Sequence, residues 1–437
     1  MSPTKTLIAA LCFLCLTLPL AAQLPKGGGR LTRNNDADRP TDPSQESRMM
    51  IPEEVGGKTY TEWKGDLIHR DPAAKGRAIL ALLAFGSKSL EAVPALLPIV
   101  KNGKEDPGVK AKGLLALKVM GTSIDGADRE KVIKALGFVI GNDPNSIVRY
   151  EAVQTLLVLM ADKKAAKAAS AITNDLVMRL DDPAYETRQA CITALIACVD
   201  SKEGPNPRVT DALIRHTKPY YEPSNEVRMQ AIIALGAMGR PQEPKKLDVV
   251  KGALHDHDRS SDTAIKIWTH VSLMALEDKV NEKDVNLIVH SLNDANREVR
   301  KQAVTALGVV AALGDRAEKN SKYVKEICTR LETEKETMVQ EAACRTLARM
   351  GDKDPQVLRA LIRLTEQDKQ KTNAVVLAAC AALAHLHVAS PKVMKALNEV
   401  RKHKALSDPE LKRVEDYIKI LESPLPAAPK RGGKPDK

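Results

Sequence analysis

The chain has 437 residues, which is enough for two or three globular domains or for one long repeat array. Hydrophobic residues make up 43% of it but aromatic residues only 3%, which excludes a core built on aromatic anchors and favours many small helix contacts through Ala, Leu, Val and Ile. The formal net charge of +11 is spread over the chain, so it does not require a nucleic-acid partner.

The N-terminus is typical of a secretory signal peptide. Lys5 precedes an apolar run, and the small residues Ala21 and Ala22 follow it. We therefore expect residues 1–22 to be removed near Ala22 and the mature protein to be periplasmic or extracellular. An uncleaved N-terminal anchor is the alternative.

The next segment, residues 23–58, is rich in Gly, Pro, Asn, Asp and Ser and shows no apolar period, so it predicts a flexible linker. The GGKT stretch that ends at Thr59 is not a phosphate loop, because Pro52 stands where that pattern needs glycine. Thr59 and Glu62 instead have the spacing of a helix capping box. At the other end, residues 423–437 predict a basic tail rich in Pro and Gly.

Internal repetition is the strongest signal in the sequence. The stretches 223–236 and 294–308 share the pattern V-R-x-Q-A-x-x-A-L-G. In the same register, one leucine recurs at intervals that average about 38 residues. These register leucines are Leu82, Leu117, Leu156, Leu195, Leu235, Leu273, Leu307, Leu347 and Leu383.

Each repeat has the pattern of two antiparallel helices joined by a short turn. In the seventh repeat, residues 282–292 and 297–313 carry apolar residues at helical spacing. Turns with Asp, Asn and Pro separate the two helices, because Asp caps a following helix and Pro suits its first position. A helical repeat of this length predicts a stacked array.

The pattern D-P-x-x-x-V-R-x-x-A-x-x-A-L-G resembles HEAT repeats, and the shorter HEAT-like repeats of bacteria are the most similar. It is present at Asp143–Leu157, Asp182–Ile196, Pro223–Gly236 and Asp294–Gly308. The resemblance implies an all-α fold: a right-handed α-solenoid of about nine to ten HEAT-like two-helix repeats across residues 59–422. It also implies that the second helices line a concave face and that the array binds other macromolecules.

A basic residue recurs seven positions before the register leucines. We call this set the ladder. The ladder residues that we predict to form a site are Arg149, Arg188, Arg228, Lys266 and Arg300. One hypothesis makes the ladder a row of cations on the concave face for an anionic polymer. The other, favoured by the resemblance, makes it structural, with each cation paired to an Asp six residues earlier or in the next repeat.

The sixth repeat departs from the others. Its turn is four residues longer and carries His255 and His257, while its second helix carries Trp268 and His270. A specialised surface patch is one interpretation, and a solvated turn beside a repacked core is the other. We predict no metal and no cofactor here, since ligands on one turn without a distant partner bind metals weakly.

These observations predict an exported, non-catalytic scaffold whose partner is a protein. An anionic glycan or a membrane surface is the alternative partner, and nucleic acid is not expected; the oligomeric state is left open. Deoxyhypusine hydroxylase is similar in being a HEAT-like array, but its iron site needs His-Glu dipeptides, which this chain lacks. The chromophore lyases of phycobiliproteins also resemble HEAT-like arrays, so a lyase or metalloprotein centred on repeat six stays a minor alternative.

Overall fold

The structure, a computed structural model, describes residues 51–124, 126–161, 168–199, 204–313, 318–366 and 372–423. The predicted signal peptide, most of the predicted linker and all but the first residue of the predicted tail lie outside these residues. The chain forms two compact units that divide between Arg259 and Ser260. We refer to the part up to Arg259 as unit 1 and to the rest as unit 2.

Unit 1 contains eleven described helices, ten of which form five antiparallel pairs. They are α1 (Tyr60–Gly65), α2 (Pro72–Leu83), α3 (Val93–Lys101), α4 (Pro107–Met120), α5 (Gly126–Asn142), α6 (Ser146–Leu159), α7 (Thr173–Met178), α8 (Tyr185–Ala197), α9 (Pro207–His216), α10 (Asn225–Ala237) and α11 (Pro244–His255). Each odd-numbered helix and the next even-numbered helix make one repeat, so α11 is the first helix of repeat 6.

Unit 2 begins with the second helix of repeat 6 and continues through repeat 10. Its described helices are α12 (Thr263–Glu277), α13 (Glu282–Ser291), α14 (Arg297–Leu313), α15 (Glu318–Thr333), α16 (Thr337–Met350), α17 (Pro355–Thr365), α18 (Asn373–His385), α19 (Pro391–Val400) and α20 (Asp408–Glu422). The prediction of an all-α array of about ten two-helix repeats is confirmed, while its handedness stays a prediction.

Within each unit the helices stack in two layers. Successive even-numbered helices pack side by side, and the odd-numbered helices form the second layer with less extensive contacts. The register leucines and the small residues four positions before them lie in this packing; Leu117, Leu156 and Ala152 are fully buried. Small side chains at these positions let neighbouring helices approach closely, which explains why the repeats preserve them.

Turn residues define where the helices start. Asp71, Asn145 and Asp262 cap α2, α6 and α12 by accepting hydrogen bonds from backbone N–H groups of the first turn. The predicted capping box is confirmed at α1, where Thr59 Oγ1 accepts from the backbone N–H of Glu62 and the Glu62 carboxylate accepts from the backbone N–H of Thr59. These caps satisfy N–H groups that a helix cannot pair internally.

The end of the predicted linker is ordered, which corrects the prediction for its last residues. β1 (Glu54–Val55) and β2 (Lys58–Thr59) form an antiparallel hairpin. Gly56 and Gly57 make its turn with φ of 59° and 75°, a region that favours glycine. Trp63 Nε1 donates to Val55 O at 2.7 Å, so the hairpin covers the start of the array.

All the described helices are short. The longest described ones, α5 and α14, have 17 residues each. Among the described residues we find no helix with the length and apolar character needed to cross a bilayer.

Candidate functional site

The ladder residues lie in the first turns of the even-numbered helices and reach toward the next repeat. Arg149 on α6 binds the Asp182 carboxylate with two hydrogen bonds, Nε to Oδ2 at 2.5 Å and Nη2 to Oδ1 at 2.9 Å. Its Nη1 donates to the carbonyl oxygens of Asp143 and Pro144 at 2.8 and 3.0 Å. Only 5% of Arg149 is exposed. This guanidinium therefore joins repeats 3 and 4.

Two further arginines repeat this geometry. Arg188 binds Glu222 at 2.8 and 2.6 Å, and Arg300 binds Glu334 at 2.9 and 3.1 Å. Each also donates to the carbonyl oxygen of the residue six positions earlier. Lysines take the same role in the first repeats, where Lys110 Nζ lies 2.7 Å from Asp143.

The partners differ from part of the prediction. The expected pairs Asp143–Arg149, Asp182–Arg188 and Asp294–Arg300 form through the backbone oxygen of the aspartate. The carboxylates of Asp143 and Asp182 instead accept from the cation of the preceding repeat. At Arg149, Arg188 and Arg300 the charge pair therefore joins two repeats, while the carbonyl contact fixes the guanidinium within its own turn.

The buried glutamates that pair with ladder arginines are held in the charged form. Burial raises the pKa of Glu334, but hydrogen bonds from Arg300, the Glu336 backbone and Arg330 outweigh it and lower the pKa to about 2. The pKa of Glu222 is also lowered, since burial is outweighed by hydrogen bonds from Arg188, Ser224 and His216. Because these charges are satisfied internally, the arginines that hold them are not available to an external polyanion.

Arg228 and Lys266 do not follow this geometry. Within unit 1, Arg228 Nη1 donates to the carbonyl oxygens of Glu222 and Pro223 at 2.7 and 3.2 Å. Lys266 makes no ion pair within the described part of unit 2. In repeat 8 the position is occupied by Gln340, whose Nε2 donates to Glu334 O at 2.8 Å and so keeps only the carbonyl contact.

The two turn histidines of repeat 6 lie in unit 1. His255 is exposed, with Nδ1 3.0 Å from Asp258 Oδ2. His257 is 5% exposed, and burial, followed by the positive charge of Lys218, lowers its pKa. Lys218 also pairs with Asp256. In the described parts of the chain no group of three or more His, Cys, Asp or Glu side chains is arranged to hold a metal ion.

Trp268 and His270, both in unit 2, agree with the interpretation of a repacked core and not with that of a surface patch. Trp268 is 1% exposed, and its Nε1 donates to Gln302 Oε1 at 2.8 Å. His270 Nδ1 lies 3.2 Å from Asp284 Oδ1, and both side chains are largely covered. The aromatic ring therefore belongs to the core between α12 and α14. A buried indole whose N–H group is already hydrogen-bonded has no free surface to offer a partner.

A histidine that the sequence analysis did not single out extends the ladder in unit 1. His216 is 2% exposed, with Nδ1 3.2 Å from Glu222 Oε2 and Nε2 3.3 Å from Asp181 Oδ1. Tyr221 donates its hydroxyl to the same Asp181 oxygen at 2.8 Å. No motif in the sequence marks His216, because it ends an ordinary amphipathic helix and its partners come from two different turns.

Exposed apolar side chains on the even-numbered helices of unit 1 were also missed. They are Leu80 on α2, Leu115 on α4, Ile147 on α6 and Tyr185 on α8, with exposures of 43%, 39%, 66% and 47%. We call this set the even-helix row. The sequence contains a signal for two of these exposed residues, because Leu80 and Leu115 both lie two residues before a register leucine.

A known protein family matches part of this repeat array. The family described as HEAT repeats matches residues 173–266 and 285–384. These two segments of the chain are HEAT repeats. The matched segments begin at α7 and end within α18, and they contain the ladder residues Arg188, Arg228, Lys266 and Arg300.

Comparison of the chain with curated protein sequences gives no significant match. Among solved structures, human deoxyhypusine hydroxylase in complex with glycerol matches at 15% identity over 76% of this chain and 96% of its own, with a TM-score of 0.31. The karyopherin Kap121p bound to the C-terminus of the phosphatase Cdc14p matches at 14% identity over 82% of this chain, with a TM-score of 0.39. Importin beta matches at 13% identity over 84% of this chain, with a TM-score of 0.34.

The chain spans less of Kap121p and of importin beta than of the hydroxylase. It covers 41% of the Kap121p chain and 56% of the importin beta chain. At these identities and scores, the likenesses carry no information about activity or partner.

Proposed function

We propose that this protein is an exported, non-catalytic scaffold that binds a partner protein through the even-numbered helices of unit 1. The observation that supports this most directly is the even-helix row. Four consecutive repeats each expose one large apolar side chain on the second helix, namely Leu80, Leu115, Ile147 and Tyr185.

The arrangement of the row supports a protein partner. The helices α2, α4, α6 and α8 pack side by side, so the four exposed residues lie on neighbouring helices of one layer. Leu80 and Leu115 occupy equivalent positions, and Ile147 and Tyr185 both lie in the first turn of their helices. Exposed apolar groups that lie close together are typical of protein contact surfaces, and tyrosine is enriched among the residues that contribute most to binding.

The same surface is a poor fit to an anionic polymer or membrane headgroups. A polyanion needs accessible cations, whereas Lys110 and Arg149 are buried against carboxylates. The lyase or metalloprotein alternative in repeat 6 loses support too, since Trp268 is part of the core. Export rests on the sequence of residues 1–22, and the concave character of this face rests on the family resemblance.

Affinity capture tests the proposal. The mature chain, residues 23–437, is used as bait on its own cell envelope, beside a Leu80→Glu/Leu115→Glu variant. We expect a protein that is retained by the wild type and lost by the variant, because two carboxylates in the row oppose burial of apolar surface. Retention should change little between low and moderate ionic strength, since apolar contacts are not screened.

The matched control is Val249→Glu/Ile420→Glu. These residues are 53% and 43% exposed, so the control adds the same charge and removes similar apolar surface elsewhere. Equal capture by all three proteins would refute the role of the even-helix row. Recovery of an anionic polymer, with retention that falls steeply with salt, would favour the electrostatic alternative instead.

A further inference from the structure

A second surface lies in unit 2, on the odd-numbered helices of repeats 9 and 10. The helices α17 and α19 pack against each other, and a groove of about 600 Å³ lies along them. This groove is separate in sequence and in helix layer from the even-helix row of unit 1.

The groove is basic. Five cationic side chains line it, against two carboxylates, Glu366 and Glu399. Lys402 Nζ lies 2.9 Å from Glu399 Oε1, and its hydrogen bond and charge lower the pKa of that carboxyl group. The cations are Arg359, Arg363, Lys392, Lys395 and Lys402. An excess of fixed positive charge in a concave site attracts an anionic ligand.

Apolar groups complete the lining. Ile362 and Ala396 lie among the cations, and both are partly exposed. The aliphatic stems of lysine and arginine add further apolar surface. Among the described residues that line the groove, His403 has the only aromatic ring, so these residues do not form the broad stacking platforms on which single-stranded nucleic acids bind.

We infer that this groove binds an acidic peptide segment of a partner protein, with its carboxylates on Lys392, Lys395 and Arg359 and an apolar side chain against Ile362 and Ala396. Charge complementarity selects an anionic ligand. The apolar lining then favours a peptide over a sulfated glycan, because a glycan has no aliphatic side chain to bury there.

Fluorescence anisotropy with a labelled peptide of alternating Glu and Leu tests this inference on the mature chain. We expect saturable binding that weakens with rising salt. The variant Lys392→Gln/Lys395→Gln should bind about tenfold more weakly, as expected when two exposed charge pairs are lost. Ala396→Glu, which places a carboxylate inside the groove, should weaken binding as well.

Two controls make the result specific. Lys279→Gln/Lys283→Gln removes the same charge from exposed positions near the start of α13 and should bind like the wild type. A peptide of alternating Gln and Leu should not bind. Thermal unfolding midpoints of all variants show whether the fold is intact.

Several outcomes would overturn the inference. The inference is wrong if the acidic peptide does not bind, or if both lysine double variants bind it equally weakly. It is also wrong if the Gln-containing peptide or a sulfated polysaccharide binds as tightly as the acidic peptide. Since the groove and the even-helix row lie in different units, the Leu80→Glu/Leu115→Glu variant should keep its affinity for the acidic peptide. Failure of one proposal is therefore distinguishable from failure of the other.

Discussion

Repeats 3 and 4 are joined by a buried ion pair, whereas repeats 6 and 7 are joined by a buried aromatic ring. Arg149 and Asp182 form two hydrogen bonds and are almost inaccessible to water. At the equivalent position of repeat 6, Lys266 makes no ion pair within the described part of unit 2. Two residues later, Trp268 fills the space beside α14 and donates its indole N–H to Gln302.

The difference shows that one structural task, holding neighbouring even-numbered helices together, is performed by two kinds of interaction. A buried ion pair adds little net stability, because desolvation offsets its attraction, yet it is costly to break from one side. A buried tryptophan stabilises through area and packing, with no dependence on charge. The first interaction is sensitive to pH and to single charge changes, and the second is sensitive to volume.

The largest expected effect is at the aromatic junction. Trp268→Ala should lower the free energy of unfolding by about 4 kcal/mol, since it leaves a cavity and an unpaired Gln302 amide oxygen. Urea unfolding followed by circular dichroism measures this change. Trp268→Phe is the control, and it should lose less because it keeps most of the volume. A loss below about 1 kcal/mol for the alanine variant would contradict the core position of Trp268.

The next effect is at the ionic junction. Arg149→Ala should cost about 3 kcal/mol, because it leaves the Asp182 carboxylate buried with the Ala184 N–H as its remaining donor. Arg149→Met/Asp182→Asn should recover part of that loss, as the uncompensated charge is gone. Lys266→Met, at the same register, should change stability by less than about 0.5 kcal/mol. Equal losses at Arg149 and Lys266 in the same urea titration would show that the two junctions do not differ.

The regular spacing of the register leucines made the repeat fold predictable from the sequence. It made only part of the ladder geometry predictable. The recurring basic residue identifies the position whose side chain joins two repeats at Arg149, Arg188 and Arg300. It cannot choose between the carboxylate six residues earlier and the one in the next repeat, since both are present at constant spacing. The choice depends on the helix start, where the carbonyl of the earlier residue faces the guanidinium and leaves its carboxylate to the preceding cation.

Trp268 and the hairpin show two limits of the sequence analysis, one an interpretation that it left open and the other a turn that it missed. An aromatic residue among aliphatic ones indicates a departure from the repeat, but its burial depends on the space left beside Gln302, which no single repeat specifies. Gly56 and Gly57 are a two-glycine turn signal of the kind that hairpins use. The polar composition of the surrounding residues concealed it, and the contact that orders the hairpin comes from Trp63, outside the segment.

The last prediction concerns the loss of stability in acid, which should differ between the two junctions. The pKa of Glu334 is about 2 in the folded state, below its ordinary value of 4.5, so its ion pair with Arg300 contributes stability above pH 4.5 and loses it as the pH falls toward 2. Glu334→Gln should be less stable at neutral pH and should show a smaller decline in acid, measured as urea midpoints across this range. Lys266→Met should keep the wild-type decline. An unchanged pH profile in Glu334→Gln would mean that another carboxylate, Glu222 first, governs the acid sensitivity of these ion pairs.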